Sequence, residues 1–157
     1  MTSPRVLETL KKFRLIMGAV RQHSKALETA CGISGAQVWM LATIADTPDI
    51  TVSQLSQALS VHVSTASNLL DKLARAGLVE RLRSDDDRRV VRLRLTDAGA
   101  AIVDRAPRPL TGLMVDAMEK LPDDALHRLD EELSGLIRQM NLVDQSAENE
   151  PLSNLVR

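Results

Sequence analysis

Between Thr51 and Leu95 the hydrophobic spacing changes period, and that change restricts the folds open to this chain. Thr51-Val-Ser-Gln54 is a capping box, with a hydroxyl for a free helix amide and a glutamine to return the bond. It opens a short helix over about residues 51 to 59. The sequence SVH follows and is long enough only for a tight connection. VHVSTASNLLDKLARAG then places Ala66, Leu69, Leu70 and Leu73 at helical spacing, and it ends on Gly77, suited to a left-handed C′ position. After Gly77 the period falls to two. Residues 78 to 83 and 90 to 95 have strand character. In the second run Val91, Leu93 and Leu95 face one way, and Val90, Arg92 and Arg94 the other. SDDDRR joins the runs. Two helices and then a β-hairpin are predicted, in that order.

The flanks are helical. Val6, Leu10, Phe13, Met17, Val20 and Leu27 recur at spacings of three and four, and Ile16, Ala19, His23, Ala26 and Ala30 form a second stripe. A helix over about 5 to 30 would be roughly 40 Å long. One chain of this size has too little surface to cover both stripes, which points to a partner chain. Gly32 breaks that helix, Ser34-Gly-Ala-Gln37 caps a short one to about Ala45, and Thr47-Pro48-Asp49 is a turn. Thr96 caps a helix beginning near Asp97, which Pro107 and Pro109 should interrupt. Pro122 starts another, with Leu126, Leu129, Leu133, Leu136, Met140 and Val143 in one stripe. The tail QSAENEPLSNLVR is polar and expected to be mobile.

The predicted class is mainly α with a small β-hairpin. Residues 33–96 form one lobe, 1–32 and 97–145 form a helical region, and 146–157 form a flexible tail. The chain has 157 residues with one Phe, one Trp and no Tyr, so the core must be aliphatic and base-stacking platforms are absent. One cysteine, Cys31, cannot form an internal disulfide. MTSPRVLETL has no signal-peptide core and no apolar run reaches about 18 residues, so a cytoplasmic protein with no membrane partner is expected. HExxH, a phosphate-cradling glycine loop and a nucleophile elbow are all missing. His23, His62 and His127 lie in separate elements without ligand spacing. Neither an enzyme, a cofactor nor a metal site is expected.

Net charge is −1, which by itself does not suggest a polyanion partner. The distribution does. Residues 72 to 94 carry eight basic and four acidic side chains, a local +4 on a body of −5. Two short helices and a basic hairpin have the order of a winged helix-turn-helix. On the second helix Ser64, Thr65, Ser67, Asn68, Asp71, Lys72 and Arg75 face outward. Hydroxyls and Asn68 early in such a helix suit base edges in the major groove. Lys72 and Arg75 suit phosphates, and His62 at the N-cap suits either. A helix that is merely on the surface would also be polar outside, so the basic hairpin beside it carries the argument.

TVSQLSQALSVHVSTASNLLDKLARAGLVER, the wing DRRVVRLRLT and the Thr96-Asp-Ala-Gly99 helix start together resemble the DNA-binding core of the MarR (multiple antibiotic resistance regulator) family. Flanking helices extend the resemblance to about residues 5 to 143. It implies a sequence-specific, homodimeric regulator of double-stranded DNA, most often a repressor, reading a pseudo-palindromic operator. The N- and C-terminal helices would form the dimer interface. The arginine of the family's Asp-x-Arg wing motif is here Arg89, expected in the minor groove, with Asp87 orienting the arginines around it. Arg88, Arg92 and Arg94 become phosphate candidates. Asp85 and Asp86 read as solvated loop charges. A non-specific architectural DNA binder and a winged-helix protein-interaction module are the alternatives; the six arginines from 81 to 94 weigh against the second.

The resemblance also implies release by a small aromatic or organic-acid effector, held between the dimer helices and the DNA-binding lobe. Arg14, His23, Trp39 and Met40 are the candidate pocket residues, each with a plainer reading as packing. Peroxide-sensing relatives carry a reactive cysteine near the beginning of the first helix. Cys31 stands at the end of that helix, where a thiolate is not favoured.

Overall fold

The computed structural model describes residues 1–83, 90–141 and 146–155. It is mainly helical with one two-stranded antiparallel sheet. Helix α1, Pro4–Cys31, begins where the Ser3 hydroxyl accepts from the Val6 amide and ends at Gly32, whose φ of 72° only glycine adopts freely. At 1.5 Å per residue it is roughly 42 Å long. It buries only Val20, Leu27 and Cys31.

Helix α2, Gly35–Asp46, starts in the expected Ser34/Gln37 capping box and runs through the middle of the fold. It touches α1, α3 (Val52–Ala58), α4 (Val63–Arg75) and α5 (Asp97–Arg105). Leu27, Val38, Met40, Leu41, Ile44, Leu55, Leu70, Leu73 and Leu93 are all fully buried around it. The core is aliphatic, as an almost aromatic-free composition requires. Each such side chain contributes about 1.5–3 kcal/mol on burial, so this cluster holds the lobe together.

Strands β1 (Val79–Arg83) and β2 (Val91–Leu95) pair with Val79 opposite Leu95 and Arg83 opposite Val91. Leu93 points into the core while Arg92 and Arg94 point out, the alternation read from the sequence. The sequence reading missed a third contribution. Residues 49–51 pair with the free edge of β2, through Asp49 N–H to Leu93 O (3.1 Å), Leu93 N–H to Ile50 O (3.0 Å) and a Thr51–Arg92 bridge. Three residues are too few to show a period.

One junction ties the hairpin to the body. The Thr96 hydroxyl donates to Gly77 O at 2.7 Å and accepts from Gly99 N–H at 3.1 Å, while Thr96 N–H donates to Leu78 O at 3.2 Å. Thr96 thus caps α5 and clamps the exit of α4 together. Gly99 lies so close to β1 that a Cβ there would collide with the Leu78 carbonyl.

Beyond α5 the prolines do interrupt the helix, and α6, Leu113–Glu119, resumes after Gly112. Helix α7, Asp123–Gln139, buries none of its side chains within the single chain. Leu126, Leu129, Leu136 and Ile137 remain exposed on it, as do Val6, Leu7, Leu10 and Phe13 on α1. The tail, residues 146–157, is described as far as residue 155. Its described residues form a 3₁₀ turn, Ser146–Asn149, and a one-turn helix α8, Leu152–Leu155, which contacts α1 and α2. A polar average had hidden Pro151 and Leu152, which rest on an apolar cavity. Among the described residues no helix is long and apolar enough to cross a membrane.

Candidate nucleic-acid interface

Helix α4 presents two contrasting faces. Ala66, Leu70 and Leu73 are fully buried. His62, Ser64, Asn68, Lys72 and Arg75 are exposed, and Thr65 and Ser67 are half-buried beside them. The N-cap, His62, makes no side-chain capping bond, so the first amides of α4 are not met by a side-chain acceptor. The helix dipole makes that end electropositive, and Lys72 and Arg75 in the last turn complement the opposite end. The small polar side chains therefore sit at the end of the helix that attracts phosphates.

Beside α4 the described hairpin arginines are held by acids of other elements. Arg94 grips Asp49 with two bonds, Nε to Oδ1 at 2.7 Å and Nη2 to Oδ2 at 2.9 Å. Arg81 pairs with Asp71 of α4. Arg92 Nη1 reaches the Asp49 carbonyl at 3.4 Å. Arg94, expected at phosphates, thus has its fork occupied. Arg83, not among the expected contacts, is exposed at the end of β1. Asp87, Arg88 and Arg89, together with Asp85 and Asp86, lie outside the described residues.

Asp49 sits in the left-handed region at φ 66°. The hydrogen bond from Arg94, helped by the charges of Arg94 and Arg92, holds its carboxyl below the usual carboxylate range, and the same bond raises Arg94. A depressed carboxylate pKa contributes stability that is complete above the unfolded value, about 3.9, and is lost as pH falls through the folded one. Asp49→Asn keeps a residue that tolerates positive φ and removes the charge. Wild type should be the more stable of the two near neutral pH, and the gap should close below about pH 3.9. Urea midpoints of both proteins across that range would check this; a gap independent of pH would mean the pair is not coupled to folding.

A second feature is a cavity of about 340 Å³, which opens between α1, α2, the α3–α4 connection, residues 111–118 and the tail. Two of the four expected pocket residues line it, His23 and Trp39. His23 Nε2 lies 2.9 Å from Pro109 O and, facing a carbonyl, must be the donor. Arg14 and Met40 do not line it. Met40 follows Trp39 by one residue, about 100° around α2, and is turned wholly into the core. Arg14 lies on the exposed part of α1. Cys31 is buried, and burial pushes its thiol up against a smaller opposing effect of Arg105. Among the described residues no group of His, Cys, Asp or Glu could hold a metal ion.

A polar helix carried on a capped helix pair, a basic hairpin at its side and a helical body define a winged helix-turn-helix protein of the transcription-regulator class. Residues 32–90 match the model of the MarR family. The multiple antibiotic resistance protein MarR of Salmonella typhimurium is 32% identical over 99 residues, 62% of this chain and 69% of that protein. The chain belongs to the MarR family of transcriptional regulators. YsmB of Bacillus subtilis, an uncharacterised HTH-type transcriptional regulator, is 26% identical over 135 residues, 86% of this chain and 92% of YsmB. Among solved structures, a mutant E. coli MarR complexed with operator DNA matches with a TM-score of 0.55 at 28% identity, over 85% of this chain and 99% of that one.

Proposed function

We propose that this protein is a cytoplasmic, homodimeric repressor that reads a pseudo-palindromic operator and is released by a small-molecule effector. The observation that carries the DNA half is the exposed α4 face, small and polar at its electropositive end and basic at its other end. Ser64, Thr65, Ser67 and Asn68 would meet base edges, His62 bases or phosphate, and Lys72 and Arg75 phosphates. Arg92 and the neighbouring Arg88 and Arg89 would follow the backbone and minor groove. The similarity to a MarR complexed with operator DNA supports this placement.

The dimer half rests on α1 and α7, whose exposed apolar side chains have no cover within one chain. Residues 33–96 would then be the DNA-binding lobe, and 1–32 with 97–145 the dimerisation region. Two copies of α4 about one duplex turn apart, roughly 34 Å, would read the two half-sites. The cavity beside Trp39 touches α1, α2 and the α3–α4 connection, so a ligand there acts on the elements that set the distance between lobes. Differential affinity for two such arrangements is what release requires.

Selection of genomic fragments with the purified protein at two salt concentrations tests this reading. A pseudo-palindromic fragment that survives the higher salt is expected. Binding without a motif that disappears with salt would leave an architectural DNA binder.

A further inference from the structure

We propose that Asp49 is a positioning residue of the DNA interface, which fixes the wing against the helix pair α3–α4 by holding both outward arginines of β2. The inference rests on operator reading by α4 and the wing, and it adds a residue that acts on DNA only through others. The hairpin is joined to the helix pair at both of its edges. At the β1 edge Arg81 pairs with Asp71 of α4. At the β2 edge the segment before α3 makes the join, and α3 in turn packs on α4. Asp49 N–H donates to Leu93 O, Leu93 N–H donates to Ile50 O, and Thr51, the N-cap of α3, bridges to Arg92. The Asp49 carboxylate adds two bonds to this seam, from Arg94 Nε and Nη2, and its carbonyl accepts from Arg92 Nη1 at 3.4 Å. A two-pronged arginine–carboxylate contact fixes direction as well as distance. It also occupies the Arg94 fork and cancels its charge, so Arg94 holds the wing and adds little to the general attraction for a polyanion. The single long bond to Arg92 leaves the rest of that guanidinium free to reach a phosphate. Loss of the Asp49 contact should therefore cost operator reading, which needs α4 and the wing in one geometry. It should cost far less on unrelated duplex, which needs only charge.

The test uses the full chain with Asp49→Asn, Arg94→Gln, Arg94→Lys and the double variant Asp49→Asn/Arg94→Gln. Each is titrated with a selected genomic fragment and with unrelated duplex over a range of salt, well below every thermal midpoint so that unfolding does not enter. The ratio of the two affinities should fall at least about fivefold in each single variant. Once Arg94 is glutamine, Asp49→Asn should lower the ratio no further, because both changes remove one contact. Arg94→Lys keeps the charge and loses the fork, so it should fall like Arg94→Gln. Arg94→Gln should leave the slope of log affinity against log salt unchanged. A flattened slope would put Arg94 on a phosphate and overturn the inference. So would a wild-type ratio in Arg94→Lys, which would make charge alone sufficient, or losses that add in the double variant. An unchanged ratio in Asp49→Asn, with wild type still preferring the selected fragment, would overturn this inference and leave operator reading intact. Wild type without any preference between the duplexes would overturn both.

Discussion

Gly99→Ala should lower stability by about 3 kcal/mol or more, at the upper end of what overpacking costs. Helix propensity argues the opposite. Gly99 lies in the first turn of α5, and alanine is favoured over glycine within a helix by about 1 kcal/mol. The sterics decide. A Cβ at this position would overlap the Leu78 carbonyl oxygen and stand 3.1 Å from its carbon. The obstacle is backbone and cannot rotate aside. That carbonyl accepts the Thr96 N–H, and the Thr96 hydroxyl holds both Gly77 O and Gly99 N–H. Moving α5 away from β1 would therefore strain three bonds at once and loosen the hairpin root. At roughly 2–4 °C per kcal/mol for a chain of this size, the thermal midpoint should fall by about 10 °C. A midpoint equal to or above that of the wild type would mean that α5 is free to shift and that Gly99 is not a packing requirement.

This junction also shows what the sequence made readable. Thr96 announced itself as a cap, and Gly77 as a helix end, because each obeys a local rule. The two capping boxes at Ser34 and Thr51 formed as expected for the same reason. The contact of Gly99 with Leu78 joins residues 21 apart, and no period or cap signals it. Electrostatic partners behaved likewise. Asp87 was the acid expected to orient the wing arginines, and it lies outside the described residues. In the described residues the work falls to Asp49 and Asp71, 45 and 10 positions from the arginines they hold. The pocket divides along a similar line. His23 and Trp39 line it, whereas Met40, adjacent to Trp39, is turned through one helical step into the core. Periodicity gives the angle between two side chains. It does not give which of them the next layer covers.

The sharpest separation of roles within the proposed interface should come from Asn68 and Lys72. They lie one turn apart on α4, both exposed, so alanine at either should leave the folded protein unchanged in stability. If Asn68 reads a base edge, its loss removes a contact that only the operator provides. A bidentate base contact is worth about 1–3 kcal/mol, and the proposed homodimer would lose it in both half-sites, so operator affinity should fall by roughly 30-fold or more. Affinity for unrelated duplex should barely change. If Lys72 neutralises a phosphate, Lys72→Ala should weaken both DNAs alike. The slope of log affinity against log salt should then flatten by about two, one phosphate for each half-site. Operator and non-operator duplexes titrated against both variants over a range of salt give all of these quantities. Equal losses on the two duplexes for Asn68→Ala would place it on the backbone and remove it from base reading. A salt slope unchanged by Lys72→Ala would remove that lysine from the phosphate contacts. Both outcomes together would leave α4 without its proposed role and shift recognition to the wing.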